Sequence, residues 1–190
     1  MPDTPSHILD VAERLVAQRG FNGFSYADVA AELGITKAAL HYHFAGKAEL
    51  GHALIQRYAV RFGEALAEVD AVGADGRRKL DAYAELYLGV LRGERMCLCG
   101  MLAAEYQTLP GPMQAEVVAF FDENERWLAG VLEQGEAEGT LAYTGSAAEV
   151  AQTIVSGLEG AMLVARPYGD VERFESAARR LLGGLAASPT

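Results

Sequence analysis

The stretch from Ser25 to Lys47, SYADVAAELGITKAALHYHFAGK, constrains the fold of this chain more than any other. It reads as two short helices broken at Gly34-Ile35. Ser25 has the side chain of an N-cap, and Asp28, three residues on, can reach back to it as in a capping box. Val29, Ala30 and Leu33 then recur at helical spacing, so the first helix has one apolar face. Gly34 can take the left-handed conformation that ends a helix, with Ile35 as the apolar residue after it. Thr36 caps a second helix, Lys37 to His43, from which Leu40 and Phe44 point inward. A short helix, a glycine turn and a second helix with a polar outer face make a helix-turn-helix pattern. In that motif the second helix enters the DNA major groove, its N-terminal residues toward the base edges.

The rest of the chain reads as helix throughout. Ile8, Val11, Ala12, Leu15 and Val16 predict a helix from Thr4 to Gln18, stopped by Gly20. Phe21 and Phe24, in the turn that follows, are expected to cap a small core of Leu15, Leu33, Leu40 and Phe44. A fourth helix runs from Lys47 through Leu50, Leu54, Tyr58 and Phe62 to Val69 and links this head to a body. Its first amides and Lys47 are expected to suit a phosphate. Breaks at 71–76, Gly93, Pro110-Gly111-Pro112, 139–142 and Pro167 separate further helices, expected over 77–92, 96–109, 113–138, 146–166 and 171–185. A short Ala/Ser/Pro tail follows. The segment 96–109, MCLCGMLAAEYQTL, is apolar all round and reads as one central helix. No segment alternates with period two for long and no repeat is present. The fold class is all-α, with a head over 1–46 and a larger helical domain over 47–190.

The run TKAALHYHFAGKAEL, after DVAAELGI, resembles the signature of the tetracycline-repressor (TetR) family of one-component regulators over residues 7 to about 55. The resemblance implies a nine-helix plan: three helices for DNA, a connecting fourth, and a domain that binds an effector and dimerises. Carried over by position, it puts Thr36, Lys37, Ala38 and Ala39 nearest the base edges. Thr36 and Lys37 can donate to phosphate or a purine acceptor, and the alanines can meet thymine methyls. His41 stands where the family often has Tyr. Tyr42, His43 and Lys47 are at phosphate-contacting positions, and Ser25 and Tyr26 are expected against the flanking strand. A symmetric dimer presenting two such helices asks for a palindromic operator.

Net charge is −10, which at first argues against a nucleic-acid binder. Residues 1–50, however, hold four basic against six acidic groups, and the remaining excess acid lies outside the head. Phosphate attraction is screened over about 10 Å, so a few placed cations can suffice. No apolar run approaches the roughly 20 residues of a membrane span. The start, MPDTPSHILD, lacks the features of an export signal, and two cysteines are too few for a disulfide framework. A cytoplasmic location is expected.

Nothing here has the pattern of an enzyme: no phosphate-cradling glycine loop, no nucleophile elbow and no His/Cys/Asp cluster at metal spacing. No metal or cofactor is expected. Tyr83, Tyr87, Met101, Tyr106, Phe120, Phe121, Trp127 and Met162 are candidates to line a pocket for a small organic effector. Homodimerisation is expected through the last two helices. There Ser156, Gly157, Gly160 and Ala161 allow close approach, and Ile154, Leu158, Leu181 and Leu182 supply burial. The run RMCLCGMLAAE is similar to a segment of electrophile-sensing family members. The resemblance implies a reactive thiol at Cys97, and Arg92 and Arg95 are near enough in sequence to lower its pKa; the residues alone equally allow Cys97 and Cys99 to pack as two inert small hydrophobes. Two alternatives to an effector-released repressor follow: a thiol-switched repressor, and a helical small-molecule-binding adaptor without DNA function.

Overall fold

The computed structural model describes residues 4–187; Met1–Asp3 and the tail residues Ser188–Thr190 lie outside them. Nine α-helices are present among the described residues: α1 Thr4–Arg19, α2 Tyr26–Leu33, α3 Lys37–His43, α4 Lys47–Ala71, α5 Gly76–Arg92, α6 Leu98–Ala104, α7 Gly111–Glu138, α8 Ala147–Ala165 and α9 Val171–Gly183. Two short 3-10 turns, Tyr106–Thr108 and Arg166–Tyr168, complete the helical elements. The sole extended pairing among the described residues is a bridge of Leu141 with Ala186.

The chain divides into two compact units, Met1–Arg61 with Arg95–Ala119, and Phe62–Glu94 with Phe120–Thr190. Helices α4 and α7 each contribute one end to each unit. The first unit holds more than the 1–46 head: it includes the start of α4, all of α6 and the start of α7.

In the first unit, Ile8, Ala12, Leu15 and Val16 of α1 are buried with Val29 of α2, Leu40 of α3 and Leu50, Leu54 and Ile55 of α4. Each of the Val, Leu and Ile side chains contributes about 2 kcal/mol by leaving water. Phe21 and Phe24 meet edge to face at 5.9 Å and close one side of this core. A buried carboxylate ties α1 to α4: Glu13 Oε2 accepts from Arg57 at 2.7 Å and Oε1 from Arg61 at 2.6 Å. Arg57 also donates to Asp10 at 2.8 Å and to the Ser6 carbonyl at 3.3 Å.

The helix expected over 96–109 is shorter than its apolar sequence suggested. It runs only from Leu98 to Ala104 and passes into the 3-10 turn at Tyr106. Glu105 ends it at φ −107°, and its side chain leaves the helix to bind the turn at Phe21. The buried part is Met96 to Cys99 with Leu102, whereas Ala103 and Ala104 face outward.

In the second unit, α5, α8 and α9 pack together around Leu80, Leu88, Ile154, Leu158, Phe174 and Leu182. This corrects the expected dimer residues. Ile154, Leu158 and Leu182 are fully used inside the chain and have no surface left for a partner. Gly157 also serves internal packing, since a Cβ there would lie 2.6 Å from Leu181 Cδ2. The large apolar side chains that α8 and its following turn leave exposed are Leu163, Val164 and Tyr168.

Candidate nucleic-acid interface

The local structure of the head follows from its capping residues. Ser25 Oγ accepts from the Asp28 N–H at 3.4 Å, while Asp28 Oδ2 accepts from the Ser25 N–H at 2.7 Å, so the capping box is complete. The hydrogen bonds from Ser25 hold the Asp28 carboxyl below the usual aspartate range. Gly34 takes φ +65°, and the N–H groups of Gly34 and Ile35 close back onto Ala31 and Ala30, at 3.4 and 3.0 Å. Only glycine reaches this conformation without strain. Thr36 Oγ1 then accepts from the Ala39 N–H at 3.1 Å and starts α3.

Leu40 anchors α3 in the core at 0% exposure, and the rest of the helix faces outward. Thr36, Lys37, Ala38, His41 and Tyr42 are exposed; Ala39 and His43 are half-buried. Tyr42 is 87% exposed, and its ring meets the edge of His43 at 5.2 Å. A large aromatic side chain left in water costs solvation, and its phenol has no acceptor among the described residues. His41 is more constrained: its ring packs against Tyr26 at 4.7 Å, and its Nδ1 lies 3.0 Å from the Ala45 carbonyl. A carbonyl can only accept, so Nδ1 carries the proton in this contact.

Two of the expected contacts turn inward. Tyr26 is buried, and its hydroxyl donates to the Phe44 carbonyl at 3.0 Å. Burial, with a smaller contribution from the Glu49 charge, pushes its pKa up to about 12. The Lys47 ammonium lies over the rings of Phe21 and Phe24, at 4.6 and 4.4 Å, and donates to the Phe24 carbonyl at 2.5 Å. Burial lowers its pKa against the opposing pull of Glu105 and Asp28. A lysine held this way fastens the turn to α4 and does not reach out to phosphate. Glu49 Oε2 meanwhile accepts from the Ala45 N–H at 2.9 Å, occupying an amide just ahead of α4. Ser25 remains exposed.

The candidate effector residues fall in both units. In the second, Tyr83, Tyr87, Phe120 and Met162 are buried, and Phe121 and Trp127 half-buried. Phe62 meets Tyr83, Tyr87 and Phe120 edge to face, and Trp127 stacks on Tyr83 at 5.7 Å. The Tyr83 hydroxyl donates to Asn124 Oδ1 at 3.0 Å and lies 3.1 Å from the Tyr87 hydroxyl. Asn124 went unnoticed in the sequence, although its spacing from Phe120 and Leu128 puts it on the buried stripe of α7. In the first unit, Met101 is half-buried on α6, and the Tyr106 carbonyl accepts from Gln114 at 2.8 Å. Cys97 and Cys99 are both buried there, and the Tyr58 hydroxyl donates to Cys97 Sγ at 3.5 Å. No group of three His, Cys, Asp or Glu among the described residues could hold a metal ion, and none of their helices is long and apolar enough to cross a membrane.

A recognition-type helix held by one buried leucine, with its polar and aromatic residues in water, defines a helix-turn-helix DNA-binding protein. The comparisons with known proteins carry this to a family. Residues 8–54 match the profile of bacterial regulatory proteins of the tetR family, and 76–181 match the tetracyclin repressor-like C-terminal domain. The chain is similar to a TetR-family transcriptional regulator from Agrobacterium tumefaciens, with TM-score 0.93 and 34% identity over 96% of this chain and 97% of that one. It is 27% identical to the transcriptional repressor NemR of Escherichia coli, over 92% of this chain and 90% of the relative. The reduced form of NemR superposes with TM-score 0.86 at 25% identity, covering 99% of this chain and 100% of the other. The chain belongs to the TetR family and is a DNA-binding transcriptional regulator.

Proposed function

We propose that the chain works as a homodimeric repressor: residues 1–46 hold a palindromic operator, and binding of a small organic effector by residues 47–190 releases it. The observation that carries the reading is the exposure of Tyr42 on a helix fixed by Leu40. Thr36, Lys37, Ala38 and Ala39 meet base edges, and Tyr42 and His43 meet phosphates, with Ser25 at the flanking strand. His41 lies on the same exposed side of α3 and lines this surface. Dimerisation uses the outer side of α8 and α9, for which the exposed Leu163, Val164 and Tyr168 supply burial.

The aromatic cluster of Tyr83, Tyr87, Phe120, Phe121, Trp127 and Met162, with Asn124 for polar recognition, supports an effector of mixed apolar and hydrogen-bonding character. Release is a population shift: the effector favours a head arrangement that no longer fits successive major grooves. The test is selection of duplexes from a randomised pool by the full-length protein. Enrichment of a palindrome with salt-sensitive binding supports the reading, and no enrichment refutes it.

A second reading, with Cys97 as the sensing thiol, is favoured by the Tyr58 hydroxyl, a donor that would stabilise a thiolate. Burial of both cysteines opposes it.

A further inference from the structure

The turn leading into the helix-turn-helix is gripped by a residue far along the chain. Gly20, at φ +79°, turns the backbone so that the next two N–H groups converge on one spot. The Glu105 carboxylate fills it: the Phe21 N–H donates at 2.5 Å and the Asn22 N–H at 3.3 Å. Consecutive amides around one anion form a nest, a site that a carboxylate suits well. The Asn22 side-chain amide donates to Thr108 Oγ1 at 2.8 Å, and the Thr108 hydroxyl donates to the Glu105 carbonyl at 2.8 Å. The fit leaves little slack, because a Cβ at position 20 would lie 2.7 Å from Glu105 Oε1. From α4, Lys47 holds the other end of the same turn through the Phe24 carbonyl.

Glu105 is also the residue that ends α6, the helix capped by Cys97. We propose that Glu105, backed by Thr108, is a positioning residue for operator binding, transmitting the placement of the segment 97–108 to the head through the Phe21-Asn22 amides. This rests on the operator-binding reading and adds a second connection to the one through α4. Hydrogen bonds of this kind fail once stretched beyond about 3.5 Å. A helix shift of about 1 to 2 Å, the size common in regulatory transitions, therefore moves the turn or frees it. A freed turn leaves the lead into α2 unconstrained, and apparent DNA affinity falls with the fraction of heads still correctly set.

The experiment compares full-length wild type, Glu105→Gln and Thr108→Val. Fluorescence anisotropy would be measured on a palindromic duplex selected by the wild type, with amide exchange followed at Phe21, Asn22 and Leu40. Glu105→Gln replaces a charged acceptor and is expected to raise the operator Kd about tenfold, and the milder Thr108→Val about threefold. Exchange should quicken at Phe21 and Asn22 while Leu40 stays protected. Binding by Glu105→Gln within twofold of wild type overturns the proposal. So does weakened binding with lost protection at Leu40 in both variants, because the head would then simply be unfolded. A wild type that selects no duplex overturns the operator reading and this inference together, before any variant is made.

Discussion

Replacing Tyr42 by phenylalanine removes one oxygen from a side chain that is 87% exposed. The ring and its edge contact with His43, at 5.2 Å, remain. Since the hydroxyl has no partner among the described residues, folding stability should change by less than about 0.5 kcal/mol. For a chain of this size that is under about 2 °C in Tm. In the proposed operator complex the same oxygen would donate to a phosphate, a hydrogen bond to a charged group worth about 1.5 kcal/mol. Dimer symmetry doubles the loss to about 3 kcal/mol, so Kd should rise roughly a hundredfold. Anisotropy titrations at several salt concentrations separate this from charge effects. Because the phenol is neutral, the slope of log K against log salt should stay as in wild type. Lys37→Met, which removes one interfacial cation per half-site, should lower that slope by up to about 2 per dimer. Operator binding by Tyr42→Phe within twofold of wild type, or a fall in its Tm of several degrees, would refute the assignment of Tyr42 as an outward-reaching DNA contact.

Asn124→Ala removes the acceptor of the Tyr83 hydroxyl from the interior of the second unit. It should cost about 2 kcal/mol, read as a fall of about 6 °C in thermal melting. Tyr26 has a folded-state pKa raised from 10.0 to about 12, so the stability it contributes is whole below pH 10 and lost as pH rises through 12. Tyr26→Phe should therefore flatten denaturation midpoints across pH 10–12, and an unchanged alkaline fall would contradict this. Cys97 and Cys99 are buried, so brief N-ethylmaleimide treatment should leave both unmodified by mass spectrometry and operator affinity unaltered. Rapid modification of Cys97 with loss of DNA binding would instead select the thiol-switch reading.

The helix-turn-helix was legible because its determinants are local. Ser25 with Asp28, Gly34 and Thr36 each act on a backbone group within a few residues, and each makes the bond expected of it. The inward turn of Lys47 was not legible, because the acceptor that captures it belongs to Phe24, 23 positions earlier. Position alone put Tyr26 on the DNA side, whereas the Phe44 carbonyl draws its hydroxyl into the core. The break in the helix expected over 96–109 has a similar origin. Nothing between Met96 and Leu109 foretells that Glu105 finds its partners at Phe21 and Asn22. Local apolarity describes what a segment can bury, but it is silent on which distant amide will claim a side chain. Asn124 is the opposite case, readable from its place in the stripe of α7 and overlooked because the residues around it are larger.

The buried Glu13 carries a mechanical consequence. Its two oxygens are each taken by a guanidinium from successive turns of α4, Arg57 and Arg61. Were α1 to slide along α4 by one turn, Glu13 would exchange one arginine for an uncharged stretch, and an arginine would be stranded beside it. The Glu13 carboxylate is buried, so leaving it short of a guanidinium carries a desolvation penalty that resists translation. Arg57 is also held by Asp10 and the Ser6 carbonyl, which fixes the orientation of the pair as well as its register. With both guanidinium contacts made, a displacement of this part of α4 carries α1 with it.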